Sequence, residues 1–384
     1  MKTPWKSISD EFNPKQNAFD FIRFVLASLV IFYHTYPLGG FGAGDPLQRF
    51  SINQEAFGGL AVAAFFALSG FLITRSGTGR VSIWRFFWHR FLRILPGFWV
   101  CLLFTAFIIA PIIWLAEGNR LNAFFQFTND GPLRYLWVNW GLRIQQFSIH
   151  QLPTQTPFPH FINGSLWTLS HEFACYILIA LLAVTGVLKK APWLALLITL
   201  GLMALQVTNF MRPDMFATHI PPFSELGLFM RNAMYFFVGA SLFLYAKHVP
   251  AHPLVFVGCV AIFIASLRLG FYSLTNGITV PYIFLWLALK LPITQWGRYG
   301  DFSYGIYIYG FPIQQILAAL KVNQFGELPY FSLAFLVTLI LAVLSYRFVE
   351  APALRLKSLN LFRPSGTSKH PPTSSTITPT NNPY

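Results

Sequence analysis

Ten runs of apolar residues, all but one at least 17 residues long, limit what this chain can fold into before any single residue is weighed. They fall at 19–38, 58–74, 94–115, 166–188, 193–209, 226–245, 254–272, 278–291, 302–320 and 328–346. A helix crosses the hydrocarbon of a bilayer in roughly 17 to 25 residues, so these are candidate membrane spans, the short eighth being the weakest. With 55% hydrophobic and only 10% charged residues in 384, the chain has more apolar surface than a soluble domain of that length can bury. Lipid must cover the rest. Hydrocarbon offers no partner to a peptide group, so the spans are read as helices and the fold class as all-α, a polytopic transmembrane bundle of about ten helices. The first run holds Asp20, Arg23 and His34 and follows a long polar stretch, which reads as a retained span rather than a signal peptide.

Basic residues set the expected orientation. If the N-terminus is cytoplasmic, the segments on that side hold 18 Lys and Arg, among them Arg75, Arg80, Arg85, Arg90 and Arg93, and the opposite loops hold 6: Arg49, Arg120, Arg134, Arg143, Arg212 and Lys321. Positive charge stays on the cytoplasmic side, so both termini are expected there. The same placement between apolar runs accounts for a net charge of +14 and argues against nucleic acid as a partner. Cys101, Cys175 and Cys259 lie inside apolar runs without ligand-like spacing, so neither a disulfide nor a metal site is expected. The chain divides into a cytoplasmic segment at 1–18, a membrane domain at 19–356 and a Ser, Thr and Pro-rich tail at 357–384, which reads as disordered. The widest outer loop, 117–165, is too long for a connector and is expected to cover a site. No internal repeat is evident, which argues against a transporter built from inverted halves.

Ionisable residues inside spans are costly and tend to mark function. In FDFIRFVLASLVIFYHTYPLGG, Arg23 and His34 are eleven residues apart; at ~100° per residue they share one helix face, ~16 Å apart. Imidazole titrates near neutrality and takes protons from hydroxyls, making His34 the candidate general base, against the plainer reading of a core histidine with a snorkelling arginine. In NGSLWTLSHEFACY, Glu172 opens the fourth run. It is expected in the outer half of the membrane with His34, where a carboxylate would orient the ring, unless it only bonds Ser170, Trp167 or a backbone group at a helix start. His171 is the weaker base candidate. In SGTGRVSIWRFFWHRFLRILPGFWV, arginines alternate with aromatics. This is an amphipathic segment suited to the membrane surface and to lipid headgroups, in which Arg90 and Arg93 can also grip a phosphorylated ligand.

Taken together these motifs resemble the acyltransferase 3 family of integral-membrane acyltransferases, which includes O-antigen and exopolysaccharide O-acetyltransferases. Arg23 followed by His34 is similar to the family's arginine and histidine pair, FFALSGFLITR with Ser69 and Gly70 to its SGFLI segment, RFLRILP to its RxxR motif, and SLWTLSHEF to its WSLSVE motif. FSYGIYIYGFPIQQ and SYRFVEAPALRL, with Tyr304, Pro312, Arg347 and Glu350, resemble its last two helices, and the likeness runs in order over 19–356. The resemblance implies a bacterial inner-membrane enzyme that moves an acyl group, acetyl first, from cytoplasmic acetyl-CoA or another acyl-CoA to a hydroxyl of an envelope glycan or lipid-linked sugar. Arg90 and Arg93, helped by Arg23, would bind the donor as co-substrate, His34 and Glu172 would be catalytic, and no permanently bound cofactor is expected. Phe173 stands where the family has a second acid and Tyr309 with Gly310 where Trp-His is common, which leaves His34 as principal base. Acylation of a small molecule of macrolide type, succinyl transfer, or a transporter or scaffold role are the alternatives. With no soluble esterase-like domain in the sequence, the membrane part either completes transfer or hands its acyl group to a separate periplasmic protein.

Overall fold

The computed structural model describes residues 5–42, 44–79, 82–126, 128–212 and 224–358. Arg80 and the tail from 359 onward lie outside the described residues. Among those described there are helices, turns and three isolated bridges, and no strand. The long helices are α1 (Phe19–Gly39), α2 (Phe57–Thr78), α3 (Ile83–Phe104), α4 (Thr168–Val184), α5 (Pro192–Met211), α6 (Glu225–Leu244), α7 (Pro253–Leu269), α8 (Tyr272–Lys290), α9 (Ser303–Ala319) and α10 (Glu327–Ser345). Two of them run on through a π turn: α3 through Thr105–Ile109 to Ala116, and α10 through Tyr346–Glu350 to Arg355.

Seven of these, α1, α2, extended α3, α5, α6, α8 and extended α10, are long and apolar enough to cross a membrane, while α4 and α7 are apolar but shorter. That is a smaller set than the ten expected spans. The eighth run is not the weak one: α8 begins six residues earlier than expected and reaches 19 residues. The third differs as well. Ser82 caps α3 by accepting from the Arg85 N–H, so 83–93 forms the first turns of a long helix rather than a separate surface segment.

Two of the 17-residue helices, α9 and α4, are explained by what surrounds them. Of the 17 residues of α9, 14 are buried, so protein encloses it on all sides. Pro312 within α9 has no N–H, which leaves the Ile308 carbonyl without its usual helical partner. That oxygen accepts from Asn163 Nδ2 at 3.0 Å and from Cys101 Sγ at 3.3 Å. Gln315, further along α9, donates to the Phe158 and Phe161 carbonyls at 2.8 and 2.7 Å. The segment ahead of α4 is thereby drawn into the bundle, with Ile162, Asn163, Ser165 and Leu166 all buried. Helix α4 starts inside the bundle and needs fewer residues.

Helices α2 and α6 approach most closely. A Cβ on Gly70 would collide with the Phe236 carbonyl, and one on Gly239 with the Ala67 carbonyl. Neither obstacle is a side chain that can swing aside, and such small-residue seams are how helices pack where lipid gives no hydrophobic drive. Gly239→Leu should therefore lower the melting temperature or folded yield in detergent, at a cost of about 1–3 kcal/mol or more. Gly201→Ala on α5, where no atom lies near the added methyl, should be neutral or slightly stabilising. Equal melting curves for wild type and Gly239→Leu would contradict the close seam.

Candidate active site

Helices α1, α3 and α9 meet at one carboxylate. Asp301, two residues ahead of α9, accepts on one oxygen from Arg23 Nη1 of α1 and Arg93 Nη2 of α3, and on the other from the Ser303 N–H at 3.1 Å and the Ser303 hydroxyl. The Asp-x-Ser spacing makes this bond local, since a carboxylate two residues before a helix reaches its first free N–H groups. The three ionic side chains are 13% to 27% exposed. Burial works to raise the Asp301 pKa, but the Arg23 and Arg93 guanidiniums and the Ser303 bonds overcome it and hold the carboxyl below its ordinary range.

Above Asp301 lies a cavity of about 120 Å³ that Arg23, Arg90, Arg93 and Glu172 all line, with Ser69, Tyr176 and Tyr307 as further polar walls. Phe65, Phe66 and Leu72 of α2 make its apolar side. Three guanidiniums line it with Glu172; Arg23 and Arg93 share Asp301, and Arg90 is the lining cation with no ion pair to a described residue. Arg90 stands 5.9 Å from the ring centres of both Phe86 and Tyr176, and its buried Nε has no hydrogen-bond partner. Glu172 accepts from the Ser69 hydroxyl at 2.9 Å and from the Tyr176 hydroxyl, one turn along α4. Thr168 and Tyr307 share a 2.5 Å hydroxyl pair at the upper end.

Four of the five residues singled out from sequence thus share one cavity, and His34 is not among its lining residues. Its half-buried ring packs edge-on against Phe311 of α9, with centroids 5.1 Å apart, and beside Tyr33. It makes no hydrogen bond with another described residue. Since Arg23 meets Asp301 and His34 meets Phe311, one face of α1 turns both residues toward α9 and the residue that precedes it.

The expected meeting of Glu172 with His34 is not what the fold shows. Thr168 is level with Tyr307, Glu172 lies a turn further toward the arginines, and His34 is level with Phe311, so the two are separated along the bundle by roughly two turns, ~11 Å. The cause is the inward course of the segment before α4, which carries Glu172 deeper into the bundle than a helix starting at the surface would leave it. Nor does Glu172 bond Trp167 or Ser170; the Ser170 hydroxyl donates to the Trp167 carbonyl instead. His171 is buried against Trp167 and Phe229 and lies 3.2 Å from Asn232, a packed position. Asp301 and Tyr176 were missed from sequence. The signal for Asp301 was present in GDFSYG, an acid at capping distance from the start of a helix that faces arginines.

An uncharged residue at 301 would leave two guanidiniums without their shared partner. Asp301→Asn should destabilise the protein by about 3 kcal/mol at neutral pH. With its folded pKa lowered, Asp301 contributes stability that is complete above its unfolded pKa near ~4 and lost as pH falls through the folded value. Thermal melts of wild type should therefore converge on those of Asp301→Asn as pH drops below about 4; a constant gap down to pH 2 would contradict the ion pairs.

Comparison with known proteins places the chain among related sequences. The profile of a family described as an acyltransferase domain matches residues 16–347. A protein of Shigella phage Sf6 named O-acetyl transferase is 31% identical over 357 residues, covering 90% of this chain and 98% of that protein. Nodulation protein 10 of Rhizobium leguminosarum bv. viciae is 27% identical over 371 residues, covering 89% and 94%. No solved structure matches.

Proposed function

The chain belongs to the acyltransferase family whose profile covers most of its length, and on that premise we propose that it transfers an acetyl group from cytoplasmic acetyl-CoA to a hydroxyl of an envelope glycan. The observation that carries this reading is the cavity shared by Arg23, Arg90, Arg93 and Glu172, because three guanidiniums held at one wall offer several forked donors to a ligand with several phosphates. The relative named O-acetyl transferase, aligned over nearly its whole length, supports acetyl as the group and oxygen as its destination.

Asp301 holds Arg23 and Arg93 in fixed positions, so their remaining donors are set before the donor molecule arrives. Arg90 has no carboxylate partner among the described residues and is the guanidinium freest to take a phosphate oxygen. His34 acts as the base on the acceptor hydroxyl: its ring nitrogens form no hydrogen bond with a described residue, and the aromatic rings of Tyr33 and Phe311 fix its plane. Glu172 acts at a distance from His34, through Ser69 and Tyr176 at the wall of the donor cavity. A thioester anchored at the arginines would extend along α1 and α9 toward His34. Membrane crossing by about ten helices with both termini cytoplasmic, in a bacterial inner membrane, completes the reading.

Kinetics separate the roles. Arg93→Ala should raise KM for acetyl-CoA by roughly 10- to 150-fold, ~1.5 to 3 kcal/mol, with a smaller change in kcat, and lysine should restore it only in part. His34→Ala should abolish turnover while leaving acetyl-CoA affinity near wild type. Unchanged acetyl-CoA binding in Arg93→Ala by calorimetry, or normal turnover in His34→Ala, would refute the respective role.

Orientation has its own test. In a cysteine-free background, a cysteine at Gln151 should react with an impermeant maleimide added to intact spheroplasts, and one at Gly79 should not; both positions are exposed. The reverse labelling would put the arginine cavity on the side without acetyl-CoA.

A further inference from the structure

Two hollows besides the arginine cavity have charged walls. One, a cavity of about 210 Å³ between α5, α6 and α8, holds Glu55 and Arg231 paired at 3.6 Å among amides and hydroxyls. Gly58 abuts the Tyr33 ring next to His34, and Gly59 abuts Glu55 and Arg231, so this cavity stands level with His34, toward the end of the bundle opposite Arg23 and Arg93. Its two charges satisfy each other. The second hollow is an open groove of about 650 Å³, where the segment before α9 lies against the extended α10. Arg298, Arg347 and Arg355 line it without a carboxylate, and none of the three forms an ion pair with a described residue.

Two features of the backbone build this groove. Arg347 and Arg355 are eight residues apart, which in an unbroken α-helix would turn them ~80° away from each other. The π turn at Tyr346–Glu350 takes up one extra residue, which brings them within ~20°, and both line the groove. The other wall comes close because Gly300 has no side chain: a Cβ there would strike the Tyr346 ring. Phe302 packs edge-on against that ring with centroids 5.4 Å apart, and the Arg298 guanidinium stands 5.4 Å from the Tyr299 ring centre. Arginines from both walls therefore share the groove with aromatic rings.

An apolar stripe leads into it. Leu336, Ile340 and Val343 of α10 follow one another at helical spacing toward Arg347, are 54%, 53% and 37% exposed, and end in the groove, which Val343 also lines. From Leu336 to Arg347 the helix rises ~16 Å, about half the ~30 Å hydrocarbon thickness of a bilayer. Arginines at the end of a stripe one leaflet long match a molecule with an anionic head and apolar tails. We infer that the groove binds an anionic phospholipid, its phosphate held by Arg298, Arg347 and Arg355 and its chains lying along Val343, Ile340 and Leu336. Asp301 lies between two residues of the groove, Tyr299 and Phe302, so the lipid would brace the segment that holds Arg23 and Arg93. The inference rests on the chain spanning a bilayer and not on acyl transfer.

Native mass spectrometry of the full chain, released from micelles holding equimolar phosphatidylglycerol and phosphatidylcholine with the same acyl chains, counts the lipids that stay bound. Wild type should keep phosphatidylglycerol in preference. Arg347→Ala and Arg298→Ala should each weaken that retention roughly fivefold, the worth of one basic residue at an anionic surface, while melting as wild type does, since both residues are exposed. Arg85→Ala removes an exposed arginine outside the groove and should retain the lipid as wild type does. An equal loss in Arg85→Ala would reduce the effect to net charge and overturn the site. Equal retention of the two lipids by wild type, or undiminished retention in both groove variants, would overturn it as well. Coenzyme A added before release should leave the lipid in place; displacement would give the groove to a soluble phosphate ligand instead.

Discussion

Asp301 carries two guanidiniums on a single carboxylate oxygen, and the geometry of the arginine cavity follows from that. In a medium where an unpaired charge is costly, Arg23 and Arg93 can sit near each other only because a shared anion lies between them. The same carboxylate uses its other oxygen to bond Ser303 at the start of α9, so the ionic pairs are tied to the most enclosed helix of the bundle. Helices α1 and α3 are thereby indexed against α9. Arg90, one turn from Arg93 on α3, then falls at the cavity wall with no ion pair to a carboxylate among the described residues.

A missing backbone N–H organises the opposite side of the cavity. Pro312 frees the Ile308 carbonyl, and in a dry interior that acceptor must be satisfied from elsewhere. Asn163 and Cys101 do so, which pulls the polar segment before α4 into the bundle and sets Glu172 at the level of Ser69. One proline in α9 thus bears on the depth of a carboxylate in another helix.

The two cavities divide polar chemistry by charge. The lower one presents three guanidiniums, two of them sharing Asp301, with Glu172, and the upper one a single ion pair with amides and hydroxyls. They lie toward opposite ends of the bundle, and His34 stands level with the upper one.

Much of this was legible in the chain itself. Apolar length and the scarcity of charge dictate helices in lipid, because water is unavailable to free peptide groups, and the Arg23, His34, Glu172 and RxxR motifs carried the likeness to the family whose profile the chain matches. Helical period also put Arg23 and His34 on one face, since that relation lies within a single element. What lay beyond the sequence was every relation between elements. The 117–165 loop gave no sign that its last part turns inward, Glu172 was placed by assuming a span that starts at the surface, and Asp301 drew no attention because its two partners are 208 and 278 residues away. Local periodicity fixes which residues share a helix face; the depth at which that face meets another depends on hydrogen bonds between distant segments, and only the tertiary structure decides those.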